Sequence, residues 1–146
     1  MSTTSASALS KVVTVLNSGG HISPVYPVHN YHAVADLDLP SITVEVESNV
    51  PSESDKAFYA GSFVHNHHIT LSIRVHTSYS GMPEDSAHSV TVMDEVITAL
   101  NTNLNLADGY RIISFGAQSY NIEFAESKSV GAELKLVVHK VSDYVN

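Results

Sequence analysis

The sequence predicts an α+β domain in which two-faced strands and two amphipathic helices enclose one core. Three observations predict it. Between His65 and His76 the side chains alternate: His65, His67, Ile69, Leu71, Ile73 and Val75 share one face, and Asn66, His68, Thr70, Ser72, Arg74 and His76 the other. The same period of two recurs in residues 41–48 and 130–141. Apolar residues at helical spacing mark a segment from about Thr4 to Asn17 and another opening near Pro83. The order reads helix, two strands, helix, then two or three strands.

At 146 residues, with 43% apolar and 15% charged, the chain is long enough to form a single domain, 1–146, with a core that needs neither metal nor disulfide. The absence of cysteine excludes disulfide frameworks, thiolate metal sites and cysteine nucleophiles. It fits a reducing compartment or a particle assembled in one. The N-terminus lacks a secretory pattern and no apolar run reaches membrane-spanning length, so the expectation is a soluble protein with no membrane partner. A net charge of −8, from 7 basic and 15 acidic residues, opposes tight binding to nucleic acid, because that affinity comes from Lys and Arg clusters that release counterions. An acidic surface can still let DNA pass without sticking.

In chain order, Leu9, Val12, Val13 and Leu16 form the stripe of the first helix, and Gly19-Gly20 follow as its stop. The run Val12, Val13, Thr14, Val15 is β-branched, which makes a strand the competing reading. Residues 21–40, with Pro24, Pro27 and Pro40, read as a short extended piece and turns along the surface. Ile42, Val44 and Val46 then alternate with Thr43, Glu45 and Glu47 in the first long strand. Residues 49–62 lack any period and hold several turn formers, so a long loop is expected, with Pro51, Glu53, Asp55 and Lys56 as candidate partner contacts.

The second helix opens at Pro83, Glu84 and Asp85, acids that suit a helix N-terminus. Its stripe reads Ala87, Val90, Met93, Ile97, Leu100 and Leu104. Asp108-Gly109 closes the connection to a strand over 110–115, and 116–119 are expected to bend or bulge it before 120–126 continue. In the last strand Leu134, Leu136 and Val138 oppose Glu133, Lys135 and His139.

No catalytic motif emerges: Gly-x-Ser-x-Gly, a P-loop and Gly-x-Gly-x-x-Gly are all absent, and no catalytic or cofactor-binding residue is assigned. Glu45 and Glu47 share a strand face, but without a pocket to split their pKa values they read as a solvated face. Nine histidines raise a metal hypothesis. His65 and His67 share a face and could hold an ion jointly, provided a third ligand such as His21, His29 or His32 comes from elsewhere; His68 and His76 lie on the other face, eight residues apart. His65-Asn66-His67 is not the dispersed signature of HNH nucleases. Strand-end histidines in solvent or at a subunit contact are the plainer reading, and no metal ligand is assigned.

The order of elements carries a family resemblance. An N-terminal helix precedes Leu39-Pro40 and Ile42-Thr43-Val44-Glu45-Val46; a loop leads to His68-Ile69-Thr70-Leu71-Ser72-Ile73-Arg74-Val75; a helix opens at Pro83-Glu84-Asp85; and a final strand holds Gly131-Ala132-Glu133-Leu134-Lys135-Leu136-Val137-Val138. This pattern resembles the tail terminator, or tail completion, proteins of long-tailed bacteriophages. Segment 21–38 and the abundance of histidine lie outside it. The resemblance implies a mixed or antiparallel sheet with two helices packed on it, in α-β-β-α-β-β order, assembling as a homohexameric ring. Such a ring caps the tail tube, ends its elongation and meets the head–tail connector or neck protein, with DNA passing through unbound. It implies a virion component of the tail or neck assembled in the host cytoplasm, with no enzyme activity and no cofactor. His68, Arg74 and His76 are the candidate subunit-contact face. The alternatives are another neck or head-completion ring and, in a different class, a His-rich metal-binding protein.

Overall fold

A dozen residues of unbroken alternation need a neighbour on both edges and a cover on the apolar face, and the computed structural model supplies all three. It describes residues 4–18, 28–29, 41–53, 63–78, 83–124 and 129–144. The elements are α1 (Thr4–Asn17), β1 (Val28–His29), β2 (Ser41–Glu53), β3 (Phe63–Ser78), α2 (Pro83–Thr102), β4 (Asn105–Ala107), β5 (Tyr110–Phe124) and β6 (Ser129–Tyr144). They build one six-stranded sheet ordered β1-β2-β3-β6-β5-β4. Every neighbouring pair is antiparallel except β1 with β2, so the fold is α+β with a mixed sheet.

Two short strands lengthen the expected order. β1, inside the segment read as extended surface chain, pairs in parallel with Ile42 and Thr43. β4 forms a hairpin with β5, so the chain runs α-β-β-β-α-β-β-β. The two residues between these strands, Asp108 (φ 55°) and Gly109 (φ 83°), make the turn with two left-handed residues that matches strand twist. Ala107 is also left-handed, at φ 75°, and its N–H donates to Asn105 Oδ1 at 3.0 Å.

Both helices cover one face of the sheet. Ala8, Val12 and Leu16 of α1 and Val92, Met93, Val96, Ala99 and Leu100 of α2 are buried against Ile42 and Val44, Ile69 to Val75 at alternate positions, Ile112, and Ala132, Leu134, Leu136 and Val138. Each large aliphatic side chain so buried contributes about 1.5–3 kcal/mol. The stripe of α2 lies one residue away from the expected one: Ser89, Val92, Val96 and Ala99 face the core beside Met93 and Leu100, whereas Leu104 is 39% exposed beyond the helix end. The small residues Ser89 and Ala99 both stand on this buried face. Asn103 ends α2, its N–H reaching Leu100 O at 3.0 Å and its Nδ2 reaching Ala99 O at 2.8 Å.

Bulges explain where the patterns change. In β2 the register slips between Val46 and Ser48, so Glu47 is the extra residue and Asn49, not Ser48, follows Val46 on the helix-covered face. β5 carries three such slips, at 112/114, 115/118 and 120/122, the middle one inside the expected bend. There a β-carbon on Gly116 would lie 3.0 Å from Lys135 Cβ, so glycine permits the close approach.

Candidate functional site

Cross-strand pairing assembles the face opposite the helices. Arg74 pairs with Thr43 and Glu133, Ser72 with Glu45 and Lys135, and His68 with Val50 and His139. Paired residues point the same way, so chemistry drawn from β2, β3 and β6 converges. Arg74 Nε donates to Glu133 Oε2 at 2.7 Å, and its Nη2 lies 3.7 Å from Glu45 Oε1. Ser72 Oγ donates to the same Glu133 oxygen at 3.1 Å. Lys135 Nζ is 3.5 Å from Glu133 Oε1 and reaches across β3 to Glu47 Oε1.

The result is a chain of alternating charge, Glu45, Arg74, Glu133, Lys135, Glu47. Arg74 and Glu133 keep only 21% and 17% of their side-chain exposure. Charges this short of water couple more strongly than surface pairs, and leaving one without its partner is costly. Glu45 and Glu47 are thus not a solvated pair: each is committed to a cation, and Glu47 is the residue the β2 bulge inserts.

The two ends of this face differ. At one end His76 is fully buried, its Nε2 within 2.9 Å of Thr43 Oγ1. At the other, His68 and His139 stand opposite each other with ring centroids 5.3 Å apart and planes tilted by 59°. Burial pushes the His139 imidazole below its usual range, with help from the neighbouring positive charge of His68 and Arg111.

Two smaller polar groups lie elsewhere. Under the first turn of α1, His67 Nδ1 lies 3.2 Å from Asn49 Oδ1, and Asn49 Nδ2 donates to Ser5 Oγ at 3.1 Å. At the β4–β5 turn, Lys11 Nζ donates to Asp108 Oδ2 at 2.7 Å and Lys140 Nζ to Asp108 O at 2.5 Å, the two ammonium groups standing 5.3 and 5.0 Å from the Tyr110 ring centroid. The Lys11 hydrogen bond, then its charge, hold the Asp108 carboxyl below the usual range. Shallow depressions of about 390 and 330 Å³ flank this corner and share Asp108 and Tyr110.

The sequence-predicted residues are distributed as follows. His68, Arg74 and His76 do share a face, but His76 is enclosed and presents no surface to another molecule, and Arg74 is bound into the charge chain. Pro51 and Glu53 belong to β2, paired with His67 and His65, so the expected loop 49–62 gives its first five residues to a strand. Asp55 and Lys56 lie outside the described residues, as do His21, His32 and the side chains of His29 and His65. His67 faces α1 and is engaged by Asn49, away from His68. Sequence reasoning missed Glu133, Lys135 and His139 as site residues; their alternation was visible, but their partners sit across strands. Among the described residues, no three His, Asp or Glu side chains gather as a metal site, and no helix is long and apolar enough to cross a membrane. No protein-family model matches the chain, and no curated protein matches it significantly.

Proposed function

We propose that this chain is a structural subunit of a bacteriophage tail or neck, forming a homohexameric ring that caps the tail tube, ends its elongation and receives the head–tail connector. The reading rests on the resemblance in element order and on one feature of the sheet. β1 pairs with only Ile42 and Thr43, so from Val44 to Glu53 the outer edge of β2 has no strand partner among the described residues. A strand edge of this length is a ready means of docking a second copy. Val50, 60% exposed on that stretch, adds apolar area.

The charge chain supports the same reading. Its ion pairs tie β2, β3 and β6 together across the sheet face, which suits a rigid subunit that positions other proteins. An acidic balance of −8 suits a ring through which DNA slides. Sedimentation of the untagged protein, alone and with purified tail tubes, tests the proposal together with negative-stain images. Six-fold rings, or a cap on one end of the tubes, are expected. A monomer that stays monomeric in the presence of tubes and leaves their ends open would sink it.

A further inference from the structure

We propose that His68 and His139 together form a binding site for a divalent transition-metal ion, with Ni²⁺, Cu²⁺ and Zn²⁺ as the fitting class, on the sheet face opposite the helices. The two residues are direct partners in the β3–β6 ladder, which continues on both sides of them as His67 with Lys140 and Ile69 with Val138. The backbone therefore holds the two residues side by side on one face before any ion arrives, and binding needs no segment to order. Their ring centroids are 5.3 Å apart. Two imidazoles on a tetrahedral ion, with bonds of about 2.0–2.1 Å, place their centroids roughly 5 Å apart. The 59° tilt shows that the pair is not a face-to-face stack.

The surroundings allow ligation. Both side chains are partly exposed, and Val50, the β2 neighbour of His68, is 60% exposed, so solvent reaches this end of the face. Arg111, exposed and paired with His139 from β5, opposes a cation here, so the two imidazoles must outweigh its charge. Among the described residues no third His, Asp or Glu completes the set, so the proposed site is a two-imidazole one, weaker than a full structural site. Affinity should follow the general series, Cu²⁺ above Ni²⁺ and Zn²⁺. The site is not the His65–His67 pair suggested by sequence, whose second member faces α1.

The test uses the full chain without an affinity tag, stripped with chelator and titrated with NiCl₂ or ZnCl₂ by calorimetry, while Ni²⁺ broadening of histidine ring signals is followed by NMR. Broadening centred on His68 and His139 is expected. Affinity should fall roughly tenfold or more in His68→Asn and in His139→Asn, since one imidazole cannot chelate. The double variant should lose the site although seven other histidines remain. Absence of binding to the wild type, or equal binding to the double variant, overturns the proposal. Should His139→Asn fail to fold, His68→Gln carries the same comparison. The readout is independent of assembly, so a protein that never forms rings can still pass it.

Discussion

Glu133 accepts from Arg74 Nε and Ser72 Oγ and lies beside Lys135, so at the scale of single residues it is the hinge of the charge chain. Replacing it with Gln leaves the half-buried Arg74 to the more distant Glu45, 3.7 Å away, while Lys135 keeps Glu47; a loss of about 1–2 kcal/mol is expected, read as a lowered urea midpoint at unchanged slope. Ala107 is the opposite case, a residue whose conformation opposes its chemistry. A side chain at φ 75° stores strain that glycine releases, and Ala107→Gly should raise the thermal midpoint by an amount equivalent to about 1 kcal/mol. Asp108, next in the chain, sets a pH dependence. Lys11 depresses its folded-state pKa, so its contribution is fully present above the unfolded value near 3.8 and disappears as pH falls through the lower folded one. In Lys11→Met the Asp108 carboxyl should titrate nearer 3.8, as followed by NMR. None of these partnerships was legible in sequence: Arg74 and Glu133 are 59 positions apart and Lys11 and Asp108 are 97 apart. Alternation says which residues share a face, and only strand pairing says which of them meet.

Elements were legible to the extent that their own periodicity defines them. β3, the start of β2 and the middle of β6 follow the period of two and lie where expected, with apolar positions under the helices. β2 was read as ending near Ser48 because the Glu47 bulge shifts the phase, turning a continuing strand into an apparent loop. β4 is three residues long, too short for periodicity, yet Asp108-Gly109 is the dipeptide of a tight hairpin and could have revealed it. For α2 the helix was clear and its rotation was not, since Val90/Ile97 and Val92/Val96 offer two apolar stripes one residue apart. Packing buries Val92 and Val96 together with Leu100 of the expected stripe and leaves Leu104 exposed, so Leu100→Ala should cost about 2–5 kcal/mol, whereas Leu104→Ala should stay within about 0.5 kcal/mol, both measured by denaturant unfolding.

At the scale of the whole molecule the sheet separates two kinds of work. Its helix-covered face supplies stability through aliphatic packing, and its other face spends few apolar residues, holding together by ion pairs with a histidine at each end. Between them runs the β2 edge, flanked by β1 for two residues and by no described strand thereafter. If copies dock along that edge, a charge placed there should block assembly without weakening the fold. Val50 is the position to use, because it is 60% exposed and contributes little to the core. Val50→Asp should leave the melting temperature of the monomer within a few degrees of the wild type, since surface changes usually stay within about 0.5 kcal/mol. It should nevertheless convert rings to monomers in sedimentation velocity, because a carboxylate buried without a cation opposes every repeat of the same contact. Rings that persist in Val50→Asp would move the subunit contact off this edge, and a variant that melts early would show that Val50 serves the fold.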